Sequence, residues 1–277
     1  MKGTESFQPG SAPMSQDERD ALDRLKRVHG PSGLKAALLA MMLGQHQPGR
    51  MLVWQDETVL TPEAETIQAD MEHMGDAARL PWFELLLQRL AKAPLTDRQA
   101  MLRAVRRVLT VPGEARPIDR LLWLTVRRAF GETPWAAAHV PAEVDIAQLP
   151  EIHMLDLAHF TAHLARLVPS DDKAGDSGPQ WYLAVMSRWQ PGDSVLPFRR
   201  PDVDEVVHAL AGLQALSWMQ RPLLVRAWVG EALRFSRNAH LARSAADALR
   251  LSCLLLDSPM PPEVARHYIA IPQEKPP

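Results

Sequence analysis

The sequence has little of what several protein classes require. It contains one cysteine, Cys253, in 277 residues, so no internal disulfide bond can form and nothing indicates an oxidising compartment. Cys253 lies in the apolar run LSCLLL, which favours a buried packing residue over a nucleophile. The longest apolar run, residues 36–43, is far shorter than the ~20 residues of a membrane span. The first fourteen residues have no apolar run typical of a secretory signal. We therefore expect a soluble, cytoplasmic protein without a membrane span.

Motifs of common enzyme sites are also missing. The chain has no glycine-rich phosphate loop, no G-x-S-x-G nucleophile elbow and no His-Glu-x-x-His zinc motif. We therefore predict no catalytic residue and no cofactor. The net charge of −2 gives no general attraction to nucleic acid, which we do not expect as a partner.

Helical periodicity dominates what is present. Few windows alternate with period two, and apolar residues recur at helical spacing, which predicts an all-α protein of about eleven amphipathic helices. Residues 80–130 are typical of three consecutive helices, and residues 203–256 echo them, which indicates a weak internal repeat. Pro81 suits the first turn of one helix, and capping boxes beginning at Ser15 and Thr96 predict two other helix starts.

A proline-containing segment between the helical regions indicates where the chain divides. We predict two packed lobes that separate near residues 133–150. The apolar helix over residues 32–43 should be central, and residues 44–58 are ambiguous between a helix and an extended piece. The predicted order is a disordered tail (1–14), a first helical lobe (15–140), a second (141–268) and a short tail (269–277).

Two segments carry opposite charge. Residues 56–78 hold seven acidic residues and no lysine or arginine, whereas residues 96–130 hold eight arginines and three acidic residues. Either the two segments neutralise each other across a helix interface, or the outward face formed by Arg103, Arg106 and Arg107 binds an acidic partner. The polar loop at residues 171–178 is a second exposed candidate. The eight tryptophans are spaced through the helices, which favours packing roles.

One helix carries residues with the spacing of metal ligands. His159 and His163 are separated by one helical turn, and Asp156 precedes them on the same face, so the three side chains are candidates for a zinc site. The glutamate that would serve as general base is replaced by Phe160. An ordinary half-buried helix face is the default interpretation, and a divalent-metal protein or metal-dependent hydrolase is the alternative.

Three passages carry a resemblance to a known family. They are ARLPWFELLLQRLAKAPLTDRQAMLRAVRRVL, PGEARPIDRLLW and AADALRLSCLLLDSPMPP. They resemble the C-terminal cytoplasmic helical region of bacterial membrane-bound HtpX-like zinc metallopeptidases, over residues 33–264. The membrane spans and the catalytic helix of those enzymes have no counterpart here.

The resemblance also implies a degenerate metal-binding corner similar to that of tellurite-resistance-B-like domains. In the first copy the loop aspartate position is Pro112, while Gly113 and Asp119 remain. In the second copy the matching positions are Asn238, Ala239 and Ala245. Proline and alanine side chains supply no oxygen ligand, so metal binding is not expected at either corner.

These observations favour a non-enzymatic helical interaction or regulatory module. Its expected partner is a protein, either a membrane metallopeptidase or a second copy of this chain. A degenerate relic without a separate function is a further alternative.

Overall fold

The computed structural model describes residues 14–44, 46–132, 144–168, 177–190, 192–236 and 239–271. Within these ranges the chain forms thirteen α-helices, two short 3-10 helices and no strand. The all-α prediction is therefore confirmed.

Seven helices belong to the predicted first lobe: α1 (Gln16–Lys26), α2 (Pro31–Met41), α3 (Pro48–Thr58), α4 (Ala64–His73), α5 (Asp76–Leu90), α6 (Leu95–Leu109) and α7 (Pro117–Ala129). Six follow: α8 (Glu151–Leu164), α9 (Ser177–Met186), α10 (Val203–Ala215), α11 (Gln220–Phe235), α12 (Arg243–Leu255) and α13 (Pro262–Ala265). The 3-10 helices are Ile146–Gln148 and Gly192–Ser194.

The described residues form two α-helices more than the eleven predicted. One is the four-residue α13, and the other is α3, in the segment that the sequence left ambiguous. Pro48 opens α3, where a missing N–H is harmless. The carboxylate of Glu114 accepts hydrogen bonds from the backbone N–H groups of Gly49 and Arg50 at 2.8 and 2.9 Å. A residue distant in sequence therefore caps this helix.

Pro81 lies inside α5, not in the first turn as predicted, because α5 already begins at Asp76. The missing N–H of Pro81 leaves the carbonyl of Ala77 without its helical donor. The backbone N–H of Ile269 donates to that carbonyl at 3.1 Å. A contact from the far end of the chain therefore accommodates the internal proline and holds the first residue of the predicted tail against α5.

The predicted helix start at Thr96 is also displaced. α6 begins at Leu95 with Pro94 as its N-cap, and no side chain caps it. The backbone N–H groups of Asp97 and Arg98 donate instead to the Pro94 carbonyl. By contrast, the capping box of Ser15 forms at α1 as predicted.

α2 lies at the centre of the first lobe. Its alanine, leucine and methionine side chains from Ala36 onwards are buried, because α2 packs against α3, α4, α5 and α6. This confirms the central position predicted from its composition.

The buried apolar side chains of both lobes form one contiguous cluster. α7 packs against α12, and Arg250 of α12 pairs with Glu84 of α5 at 2.5 Å. The ring of Tyr268 lies 4.6 and 4.3 Å from the guanidinium carbons of Arg243 and Arg250. The core therefore continues across the predicted division.

Parts of the predicted organisation lie outside the described residues. These are residues 1–13 of the first tail, residues 133–143 of the lobe boundary and residues 272–277 of the last tail. Residues 171–176 of the predicted polar loop are also outside, and Ser177 and Gly178 belong to α9.

The two helical triples, α5–α7 and α10–α12, share a hydrogen-bond pattern. The Arg98 guanidinium donates to a carbonyl five residues earlier and to the carbonyl of Phe130, the C-cap of α7. Arg221 likewise donates to a carbonyl five residues earlier and to that of Leu256, the C-cap of α12.

The residue that follows the C-cap has the same backbone conformation in both triples. Gly131 and Asp257 both adopt a positive φ, +80° and +49°. The N–H groups of Glu132 and Ser258 then donate back across the turn to the carbonyls of Arg127 and Cys253. Both helices therefore end in the same six-to-one hydrogen bond.

Candidate functional site

The three predicted metal ligands lie on α8 but do not form a ligand set. Arg199 donates to Nε2 of His159 at 2.7 Å, and burial lowers the pKa of His159. His163 is 2% exposed, and burial lowers its pKa to about 4, so this imidazole is neutral at pH 7. Among the described residues, no group of three or more His, Cys, Asp or Glu side chains is arranged to hold a metal ion.

Asp156 has different neighbours from those predicted. Its carboxylate oxygens lie 3.7 Å from Nδ1 of His153 and 4.0 Å from Nε2 of His208 on α10. Gly212 permits this packing, since a Cβ there would lie 1.9 Å from Asp156 Oδ2. Asp156 is 4% exposed, and burial raises its pKa to about 6. The carboxyl group therefore belongs to the α8–α10 interface.

An arginine occupies the corner where the resemblance implies a degenerate metal site. Gly113 has a φ of +79°, and the acid that follows, Asp119, is 6% exposed. Arg50, which is completely buried, donates to Asp119 at 2.5 Å, and Arg116 donates to its other oxygen. Burial by itself would raise the pKa of Asp119, but these hydrogen bonds hold it below its usual value. The oxygens that a cation needs are thus committed to guanidinium groups.

The second corner provides even fewer ligands. Ala239 has a φ of +52°, so it keeps the left-handed conformation of Gly113 without an oxygen-bearing side chain. Ala245 is 2% exposed. Asn238 lies outside the described residues.

Cys253 is buried, as predicted. Its side chain is 2% exposed, and burial raises the pKa of the thiol to about 12. The thiolate that a nucleophilic cysteine needs is therefore not formed near pH 7.

The predicted arginine face of α6 borders a depression that we call the basic groove. Its volume is about 550 Å³, and α2, α3 and α6 supply its walls. It is lined by Lys35, Glu57, Ala100, Arg103, Ala104, Arg106, Arg107 and Thr110. All three predicted arginines belong to it.

The arginines differ in what they contact. Arg107 forms ion pairs with Glu57 and, at 3.6 Å, with Asp56. Arg103 and Arg106 are exposed, and their side chains form no hydrogen bond or ion pair with any residue that the structure describes. Arg107 therefore neutralises part of the acidic segment, as the first reading expects. Arg103 and Arg106 stay exposed.

The sequence did not predict the other charged residues of the groove. Lys35 on α2 donates to the Glu57 carboxylate at 2.6 Å, and the side chain of Glu57 is only 6% exposed. Lys35 and Glu57 are far from α6 in sequence, so helical spacing gives no sign of them. The packing of α3 against α2 and α6 brings them together.

A second exposed feature departs from the predicted packing role of the tryptophans. Trp54, Trp82, Trp181 and Trp228 are buried, but Trp218 is 78% exposed. Met219 and Leu223, which follow it in the chain, are 53% and 54% exposed. These residues form an apolar corner at the start of α11.

No helix in the described ranges is long and apolar enough to cross a bilayer. No protein-family model, curated protein or solved structure matches this chain. A function for this chain therefore rests on the positions and contacts of its own residues.

Proposed function

We propose that this protein is a non-enzymatic helical module that binds a protein partner through the basic groove. The observation that carries the proposal is the pair of exposed guanidinium groups of Arg103 and Arg106, which have no described partner. Arginines are favoured at protein interfaces because their planar groups form two parallel hydrogen bonds with a carboxylate.

The state of the chemically reactive side chains supports a non-enzymatic role. Asp119 is held by two guanidinium groups, Cys253 is a buried thiol, and His163 is buried. None of them faces the basic groove. The groove is lined by five charged side chains, two alanines and one threonine, a composition that suits binding by charge and shape.

The matching helix ends support a relation between α5–α7 and α10–α12. Such a relation fits the proposed kinship with the accessory helical region of membrane zinc metallopeptidases. On this basis the partner in the cytoplasm is such a metallopeptidase or a second copy of this chain.

A site-specific crosslinking experiment tests the proposal. A photoreactive amino acid replaces Thr110, an exposed residue of the groove lining, in one variant and the exposed Arg226 on α11 in a control variant, each produced in the native cells. We expect the variant at position 110, but not the one at 226, to form a discrete crosslink that mass spectrometry identifies.

Charge reversal supplies the second arm. When Arg103→Glu and Arg106→Glu are added, the crosslink from position 110 should weaken, since the groove then repels carboxylates. An unchanged yield, or equal crosslinking from both positions, would show that the partner does not use this groove.

A further inference from the structure

The charge of the basic groove is divided unequally between engaged and available side chains. Four cationic side chains line it, together with one carboxylate, Glu57. That carboxylate is shared by Lys35 and Arg107. Arg103 and Arg106 are left with solvent. The available positive charge is therefore concentrated on these two residues.

We infer that the groove binds an acidic α-helical segment whose carboxylates lie one helical turn apart, and that Glu57 competes with this segment for Lys35 and Arg107. The inference rests on the proposed function and specifies the chemistry of the partner. Arg103 and Arg106 are three residues apart on α6, which places them on neighbouring turns of one face. Carboxylates at the same spacing on a partner helix would face both guanidinium groups.

The shape of the groove agrees with a helical occupant. Ala100 and Ala104 are also separated by one turn of α6 and contribute only methyl groups to the lining. Small side chains leave room for a partner helix to approach. The long arginine side chains can then lie along its flanks, with their charged groups near its carboxylates.

The composition of the groove disfavours a polynucleotide. Proteins that bind single strands stack the bases on aromatic side chains, and no aromatic residue lines this groove. Glu57 would also repel a line of phosphates. In a partner with discrete carboxylates, by contrast, each acidic group can be placed away from Glu57.

The position of Glu57 provides a gain-of-function test. Glu57→Gln removes the competing charge but leaves the hydrogen bond from Lys35 to the backbone carbonyl of residue 57. Lys35 then has no ion pair with a described residue, and Arg107 keeps only the longer pair with Asp56, so both can turn to the partner. We expect this variant to bind an acidic helix about threefold or more tightly than wild type. The gain is modest because each new ion pair between Lys35 or Arg107 and the bound helix would lie at the protein surface.

The measurement is fluorescence anisotropy with a labelled alanine-based peptide of about 18 residues, long enough to form a helix. It carries two glutamates one turn apart. A second peptide of identical composition has the glutamates on opposite faces, and a single-stranded oligodeoxynucleotide of similar length is the third probe. Circular dichroism checks that every protein variant keeps its helix content.

A matched pair of protein variants completes the design. Arg103→Glu with Arg106→Glu should weaken binding about tenfold or more, because two favourable pairings become repulsive. Arg19→Glu with Arg226→Glu changes the net charge equally at exposed sites outside the groove and should leave binding unchanged within about twofold.

Three results would overturn the inference: no gain for Glu57→Gln, equal binding of the opposite-face peptide, or stronger binding of the oligonucleotide. These results are distinguishable from failure of the proposed function. A partner crosslinked at position 110, without peptide binding, would retain the function and exclude this partner chemistry. Spacing-dependent peptide binding without a crosslinked partner would support the chemistry and leave the module without its proposed role.

Discussion

Asp156 shows how a single buried charge depends on its surroundings. Its carboxyl group lies at the α8–α10 interface, close to Gly212. The imidazoles of His153 and His208 lie 3.7 and 4.0 Å from its oxygens, farther than a hydrogen bond reaches. Burial raises its pKa from 3.8 to about 6, while His208 opposes the shift. The native state therefore binds this proton more tightly than the unfolded chain does.

The sign of the pH dependence follows from this raised pKa. The stabilisation that Asp156 contributes is fully present below pH 3.8 and is lost as the pH rises through about 6. Asp156→Asn removes the ionisation. We expect it to increase the free energy of unfolding by about 1–3 kcal/mol at pH 7.5 and to have little effect at pH 4.

Urea denaturation at the two pH values measures this difference. Asp20→Asn, at an exposed position of α1, is the control and should show no such pH-dependent gain. A wild-type protein more stable than Asp156→Asn at pH 7.5 would show that the ionised carboxylate is stabilised by the fold.

At the scale of elements, the loops that precede α7 and α12 each contain a residue with a positive φ, but the residue types differ. Gly113 adopts its positive φ without steric strain, whereas Ala239 adopts one of +52° with a Cβ. A left-handed conformation costs a residue other than glycine roughly 1–2 kcal/mol. The loop before α12 therefore contains strain that the loop before α7 avoids.

Exchanging the two residue types tests this comparison. Ala239→Gly should stabilise the protein by about 1 kcal/mol, because Ala239 is exposed and glycine adopts a positive φ without strain. Gly113→Ala should destabilise it by about 1–2 kcal/mol, because a Cβ at Gly113 would meet no other atom and only the backbone conformation opposes it. Thermal unfolding of both variants supplies the measurement. A destabilised Ala239→Gly variant would mean that the side chain of Ala239 makes a contact worth more than the strain.

At the scale of the whole molecule, the contiguous core should make the two predicted lobes interdependent. α7 packs against α12, and the guanidinium of Arg128 donates to the carbonyl of Leu255. Ile269 completes the hydrogen bonding of α5 from the opposite end of the chain. A disturbance in either lobe should therefore reach the other.

Trp82→Ala tests this interdependence. Trp82 is completely buried in α5, so its truncation should cost about 3–5 kcal/mol. If the lobes unfold together, the protection of α11 amides against hydrogen exchange should fall by a similar free energy. Unchanged protection of α11, with loss of protection confined to α1–α7, would show that the lobes unfold separately.

The sequence predicted a helix correctly where the apolar spacing and the residues that begin or end the helix lie within the helix itself or next to it. The capping box at Ser15 and the apolar helix α2 are examples. The predictions failed where distant residues decide. Pro81 is tolerated inside α5 because Ile269 supplies a donor, and α3 begins where Glu114 supplies a cap. Neither partner can be recognised from neighbouring residues.

The sequence likewise predicted one part of the candidate site and missed another. Residue order and helical period placed Arg103, Arg106 and Arg107 on one outward face of α6, since a helix determines which of its own residues share a side. Only the packing of α2, α3 and α6 decided that Glu57 pairs with Arg107 and leaves the other two arginines exposed. The same held for Asp156, which faces α10 instead of forming a ligand set along α8. Amphipathic spacing is a property of the chain alone, whereas the partner of a charged side chain depends on which helices meet.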